Sequence, residues 1–453
     1  MKTSITHISI LLLLCILSSI ESSAQSSTKL LNSGLKAIQD DDLQKANKIY
    51  SEVYENDTAA IKIQAIAGLL KVAIYSSEMS TGDSLIMIGD QLSQSEIPSN
   101  ILATYRLAQG EYYRVASNFS KAIETFKIAE SSLRQTHKNE LAHADALQYI
   151  GLVYEQTSAF DSSLYYINLA KDIYESKIDT SSFKYGQLCN SLGSVHLRLN
   201  HFKEAKLLYQ KAIRILLATQ GRKSSDIAMV MGNLAAIYRA EGNNQKGIEI
   251  TKEALKINIL NKDRNGQSYN YYSLGVFSLL QGDYGRTKDY MQACIDIRKK
   301  LYGDQHSMLI GPYEVAAIGL DEAGQFQESR VYFNKARKVI LSNFGHSSVR
   351  EGYNLENVAL SFQNSGELDS ALVYLQKSNS IFSAGQAKRT IEMSNHYFSL
   401  ASIHYMLGHY NKASDFLQHS NQILEHLLSL FAQVTASSCK EKNSRLGHDF
   451  TQQ

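Results

Sequence analysis

Proline and tryptophan are almost missing from this chain. Two prolines, Pro98 and Pro312, and no tryptophan occur in 453 residues. So few helix breakers leave room for many uninterrupted helices. A charge excess is missing as well: 46 Lys+Arg against 44 Asp+Glu leaves a formal charge of +2. That balance supplies no general field for nucleic acid, and no basic run is longer than "RKK" at Arg298 to Lys300. Cysteine is sparse. Beyond Cys15 there are Cys189, Cys294 and Cys439, an odd set that argues against a disulfide framework in an exported protein. Cys189 and Cys294 fall where packing groups are expected. A P-loop, a dinucleotide-binding glycine turn, HExxH and paired CxxC are also lacking. No catalytic centre, metal or cofactor is expected.

What is present begins at the N-terminus. "MKTSITHISILLLLCILSSIESSAQSS" has Lys2, an apolar stretch from Ile8 to Ile20, and small residues at Ser22 and Ala24. This order predicts a secretory signal peptide, residues 1–24, cut before Gln25. The apolar run is shorter than the roughly 20 residues of a bilayer span. Leu14 before Cys15 is too large for a lipoprotein signal. No later segment is expected to reach membrane length, so the mature chain is expected to carry no membrane span. The destination is periplasmic or secreted.

The rest of the chain repeats itself. Small residues recur at Gly34, Gly110, Gly151, Gly193, Ala235, Gly275, Ala317, Ala359 and Ala401. From Gly110 the spacings are 41, 42, 42, 40, 42, 42 and 42. Seven residues after these markers stand Ser117, Ser158, Asn200, Gly242, Gly282, Gly324, Gly366 and Gly408. Gly and Asn there suit the left-handed turn that ends a helix. Twelve, sixteen and nineteen residues after each marker come small, large and small groups, as in Ala205, Tyr209 and Ala212. Spacings of three and four place them on one helical stripe. Each unit is two amphipathic helices joined by a tight turn, and a lone unit could not cover its apolar faces.

The order small–aromatic–Gly–aromatic–Ala–aromatic–Ala resembles the tetratricopeptide repeat (TPR) family. The 42-residue period exceeds the usual ~34 and is similar to the kinesin-light-chain type. That type carries glycine linkers, matched here by Gly221, Gly303 and Gly345. The resemblance spans residues 28 to 430 and blurs over 59–97. It implies an all-α TPR-type α-solenoid of about ten helix pairs, wound as a right-handed superhelix with a concave inner face. Four segments are expected: the signal peptide, degenerate units over 25–98, a regular array over 99–435, and a frayed, disordered tail over 436–453. The blurred unit and the C-terminal end should open first in hydrogen exchange.

The resemblance also implies a binding groove lined by the first helix of each pair. In this chain those positions include Gln148, Glu155, Asn190, Arg198, Asn233, Arg239, Asn357 and Gln363. Asn190, Asn233 and Asn357 are the best candidates to hold a peptide backbone, since a carboxamide both donates and accepts. Tyr269, Tyr272 and Tyr353 fall on the same face, where they either meet a ligand or pack between units. The groove is mixed in charge, without a Lys/Arg cluster that would select an acidic tail.

Other constellations have plainer readings. His196/His201 and His404/His409 repeat an H-x4-H pattern, but five residues make a poor helical face for a metal. His196 and His404 stand where other units place Tyr, so packing with a polar tip is preferred. Cys439 and His448 sit in the tail without a scaffold to orient a base. Asp40 to Asp42 precede a helix and are expected to cap it. Function thus points to an exported scaffold binding a protein or peptide, without catalysis. An alternative is the sensory arm of a larger signalling protein, since such arrays resemble those preceding caspase-like CHAT domains or membrane-anchored kinases. A motor adaptor in the cytosol is a third reading, opposed by the signal peptide.

Overall fold

A computed structural model describes residues 26–38, 42–55, 57–76, 79–136, 139–384 and 390–449. The proposed signal peptide and its Cys15, and Asp40 and Asp41, lie outside these residues. So do the side chains of Cys439 and His448. Among the described residues there are twenty α-helices and no strand.

The chain divides into two compact units that meet at Arg222 and Lys223. The boundary falls beside the Gly221 linker, and the units over 25–98 pack together with the regular repeats that follow. The N-terminal unit holds α1 (26–38), α2 (Leu43–Glu55), α3 (Ala59–Ser76), α4 (Met79–Leu92), α5 (Ser99–Val115), α6 (Phe119–Thr136), α7 (Glu140–Gln156), α8 (Phe160–Lys177), α9 (Phe183–Arg198) and α10 (Phe202–Gln220). The C-terminal unit holds α11 (Ser225–Ala240), α12 (Asn244–Leu260), α13 (Arg264–Leu280), α14 (Tyr284–Tyr302), α15 (Ile310–Glu322), α16 (Phe326–Phe344), α17 (Val349–Asn364), α18 (Leu368–Ala384), α19 (Ile391–Met406) and α20 (Tyr410–Asp449).

The marker residues do what their size suggests. A Cβ on Gly110, Gly151 or Gly193 would come within 2.5, 2.3 or 2.6 Å of the side chain sixteen residues later, Phe126, Ile167 or Tyr209. The second helix therefore lies directly against the first. Those large groups are fully buried, each worth about 1.5–3 kcal/mol relative to exposure. The turns follow the sequence closely. Ser117, Ser158 and Asn200 take φ near +60°, and Gly242, Gly282, Gly324, Gly366 and Gly408 take φ of +74 to +80°. Each closes a helix: Ala159 N donates to Tyr154 O and Ser158 N to Glu155 O, which satisfies carbonyls the helix leaves open.

Helix starts are equally local. Asn139, Ser182, Ser224, Asn243, Asp263, Asp283, Ser348 and Thr390 each accept from a first-turn N–H. Asp42 does the same for α2 through Lys45 N, as expected of the acidic run. Pro98 precedes α5 and Pro312 sits in the first turn of α15, where no helical N–H is lost. The linker glycines Gly221, Gly303 and Gly345 adopt positive φ with ψ near 170–180°, a region open almost only to glycine. Two linkers are tied the same way: Asn261 and Asn343 donate to the carbonyls of Lys223 and Gln305.

The blurred unit departs from the repeat at its marker. Leu70 stands where other first helices carry Gly or Ala, while Gly82, Ile86 and Gly89 on α4 keep the small–large–small order twelve, sixteen and nineteen residues on. A Cβ on Gly82 or Gly89 would lie 2.1 Å from Tyr112 or 2.5 Å from Tyr105, on the next helix of the stack. One sequence expectation changes here. α3 is 18 residues long with mean hydropathy 1.4, enough by length and composition to cross a membrane. Its apolar content serves the stack: Ile63, Ile66 and Leu70 are fully buried against Tyr105 and Tyr112 of α5 and Ile86 of α4. At the other end α20 continues as helix to Asp449, through the segment from Ala436 that lacks apolar periodicity.

Candidate functional site

Several successive first helices touch one another: α3 with α5, α5 with α7 and α7 with α9, then α11 with α13 and α13 with α15, whereas α15, α17 and α19 do not pack on one another to that extent. No two second helices from α6 onward pack to that extent. The first helices therefore form the inner wall of each unit, and their unpacked positions face the groove.

In the N-terminal unit this wall is ionic. Gln148 of α7 is buried and donates to Ser191 Oγ of α9 at 2.9 Å, so it ties neighbouring repeats together. Arg198 Nε stands 4.0 Å from Glu155 Oε1, with Arg198 well exposed. Burial pushes the Glu155 carboxyl up, against the pull of Arg198 and Arg114. Asn190 is half-buried on the same wall. Beside these stand residues that sequence reasoning missed. Lys184 Nζ is 3.3 Å from Asp145 Oδ2, Arg114 is 2.7 Å from Glu111, and Lys71 comes from α3. Lys71 was hidden because the register of its repeat was unreadable. With Leu70 as the marker, Lys71 and Glu111 occupy the same position, one residue after it.

In the C-terminal unit the wall is more apolar. Asn233 and Asn357 are half-buried, as is Gln363, and Arg239 is exposed. Among the described residues neither the Asn357 nor the Gln363 carboxamide is engaged. The tyrosines divide. Tyr272 and Tyr269 flank the buried guanidinium of Arg298 at 5.5 and 5.3 Å, which itself donates to Met308 O and Ser268 Oγ. Tyr353 lies against Phe382, ring centroids 5.1 Å apart. Tyr272 and Tyr353 thus pack against the second helix of their own repeats, whereas Tyr269 keeps 52% of its surface exposed. Leu280, Leu360, Phe398 and Tyr405 are also exposed first-helix side chains, and none of these was anticipated. Glu314 pairs with Arg350 at 3.4 Å, and burial raises its carboxyl against that pairing.

The histidine pairs are closer than their spacing suggested. His196 and His201 approach to 3.3 Å between Nδ1 atoms, and His404 and His409 to 3.2 Å. The left-handed turn folds the second histidine back over the helix end, with His201 N and His409 N donating to the carbonyls of His196 and His404. His404 is buried and stacks on Phe416, in keeping with a packing role. Among the described residues no third ligand completes a metal site at either pair. Cys189 and Cys294 are free and buried, their thiols pushed up to about 11 by desolvation.

Known proteins with related features agree with this architecture. The curated protein kinesin light chain-related 1 of Arabidopsis thaliana is 24% identical over 203 residues, 41% of this chain and 33% of that protein. A clustered mitochondria protein homolog of Aspergillus niger is 22% identical over 159 residues, 35% of this chain and 13% of its own length. The chain thus spans a third or less of these two relatives. Among solved structures, the apo quorum sensor NprR from B. thuringiensis superposes with a TM-score of 0.59 at 12% identity, covering 80% of this chain and 98% of that one. A Rap protein complexed with competence and sporulation factor gives 0.56 at 13% identity, covering 81% and 99%. Tetratricopeptide repeat profiles match residues 186–215 and 271–307. The chain carries tetratricopeptide repeats, stacked as an all-α solenoid.

Proposed function

We propose that this chain is an exported, non-catalytic scaffold that binds an extended peptide or protein segment along its first-helix grooves. The observation that carries this reading is the inner wall of the C-terminal unit. It offers unengaged carboxamides at Asn357 and Gln363 beside exposed Leu360 and Phe398. Carboxamides suit a peptide backbone and apolar side chains suit its substituents. The Rap protein, similar in fold, is complexed with competence and sporulation factor, which supports a protein or peptide ligand here.

The test is peptide capture. Immobilised protein is offered a digest of proteins from its own cell, and retained peptides are compared with those held by N357A/F398S. Peptides kept by the parent and lost by the variant support the groove. Equal retention by both removes this wall from the site. The arm-of-a-larger-protein reading has one observation in its favour: Leu424 and Leu428 are exposed on α20, on the last repeat. An antibody to α20 that detects a species well above 50.6 kDa in native extracts would make that reading the better one.

A further inference from the structure

Two of the tight turns bring histidine nitrogens together. On a straight helix, residues five apart stand about 140° apart around the axis. Asn200, at φ +59°, and Gly408, at φ +77°, reverse the chain between the members of each pair. His201 and His409 thus come back over the ends of the helices that carry His196 and His404. In both pairs it is the Nδ1 atoms that converge, at 3.3 and 3.2 Å. In other repeats the second of these positions serves the backbone: Asn243 and Asp283 there cap the helix that follows. His201 makes no such cap on α10, and its ring is turned to His196 instead.

The separation suits one metal ion held between the rings. Two nitrogens each roughly 2.0–2.1 Å from a tetrahedral zinc ion lie about 3.3–3.4 Å apart. A square-planar ion would draw them to about 2.8–2.9 Å. Both pairs share this geometry, but their surroundings differ. His196 is half-buried and His201 exposed, and Glu204 stands in the first turn of α10. His404 is buried and stacked on Phe416, and Lys412 holds the place of Glu204. A carboxylate attracts a divalent cation, an ammonium group repels it, and an ion at a buried pair must shed more of its water. We propose that His196 and His201 bind a zinc-type ion through their two Nδ1 atoms, and that His404 and His409 bind it more weakly. Burial, then His201, lowers the His196 pKa, so the ring is neutral and able to coordinate at pH 7.5. The proton between the two Nδ1 atoms moves through solvent to Nε2 of the same ring as the ion enters, and none need be lost. No third protein ligand joins either pair among the described residues. Two tetrahedral positions therefore stay open to water or to a group on a second molecule. Such a site would act with or without a peptide in the groove.

The test uses the intact protein without an affinity tag, and zinc ions alone as the probe. Diethylpyrocarbonate labelling at pH 7.5, read by peptide mass spectrometry, reports how available each histidine is. Zinc should suppress labelling of His196 and His201 in parallel, at lower concentrations than it slows His404 and His409. Exposed His346 should keep its rate, and magnesium, which prefers oxygen ligands, should protect none of them. H201N puts at this position the residue type that caps α12, and should abolish the protection of His196 while circular dichroism reports its fold. H409N should leave His196 and His201 protected; the wild-type arm stands without either variant. Unchanged labelling of His196 and His201 in zinc overturns the site. Equal protection of His346 overturns it too, as adsorption to surface histidines, and so does protection of His196 that survives in folded H201N. Protection of His404 and His409 at equal or lower zinc overturns the ranking by charge and burial.

Discussion

The same substitution, Gly to Ala, should have three different outcomes at three helical glycines. At Gly193 the new methyl would stand 2.6 Å from Tyr209 Cε1 and 2.8 Å from Cδ1. The Tyr209 ring has nowhere to go: it is fully buried and its hydroxyl donates to Ser194 Oγ at 3.2 Å. Overpacking of this kind costs about 1–3 kcal/mol, while the better helix propensity of Ala returns about 1 kcal/mol. A rigid aromatic puts the cost near the top of its range, so G193A should lose about 1–2 kcal/mol. At Gly275 the methyl meets Met291 Cε at 2.2 Å. That atom ends a flexible chain that can turn aside, so cost and gain should cancel to within about 0.5 kcal/mol. At Gly232, in the middle of α11, nothing lies within 4 Å. G232A should gain about 0.8–1 kcal/mol.

Stability in a repeat array is close to a sum of local and nearest-neighbour contributions, so the measurement should be local. Native-state hydrogen exchange of α9–α10, α13–α14 and α11–α12 reads each change where it is made, and urea melts by circular dichroism give the global midpoint. Ordering of the three variants as loss, no change and gain supports close helix approach as the reason for small markers. Three gains of similar size would refute it, because propensity alone would then decide.

Other consequences follow from particular residues. Burial first, then Lys412 and His409, lowers the His404 pKa from 6.5; its contribution is therefore intact above pH 6.5 and lost as pH falls through the folded value. Protection factors in α19–α20, corrected for the intrinsic exchange rate, should fall on acidification, and H404Y should flatten that dependence. S158G should gain about 0.5–1 kcal/mol by relieving a left-handed non-glycine residue, whereas G221A should lose about 1–3 kcal/mol; urea midpoints check both. The Cys189 and Cys294 peptides should resist iodoacetamide at pH 8 until urea is added, and labelling at the exposed-thiol rate would contradict their burial. N-terminal sequencing of the mature protein should begin at Gln25; a product retaining Met1 would defeat the export reading.

The repeat was legible because its determinants are local. A turn needing positive φ, a cap, and a small residue facing a large one sixteen places on can all be found by counting. Eight units agreed, and the backbone takes the left-handed conformation at all eight turn positions. The second unit resisted counting because its marker is large. Gly82, Ile86 and Gly89 keep the small–large–small order of a second helix, and Tyr112 and Tyr105 of α5 lie against the two glycines. A count anchored on a small first-helix residue passes over a repeat that carries Leu70 there.

The site was legible in kind and not in detail, for a related reason. Position on the first helix marks a residue as facing the groove, but says nothing of what it already holds. Gln148 is spent on Ser191 and Tyr272 on Arg298, while Asn357 keeps its carboxamide free among the described residues. The charge balance of the inner wall is harder still to count, because it is set between repeats that are distant in sequence. Lys71 lies in the unit whose register was lost, and Lys184 precedes its own marker by nine residues. Each alone is an ordinary solvated lysine. Only stacking α9 on α7 brings Lys184 to 3.3 Å from the covered carboxylate of Asp145. A solenoid can therefore hide a specific site inside a repetitive sequence: the repeat fixes where side chains point, and the departures from it fix what they select.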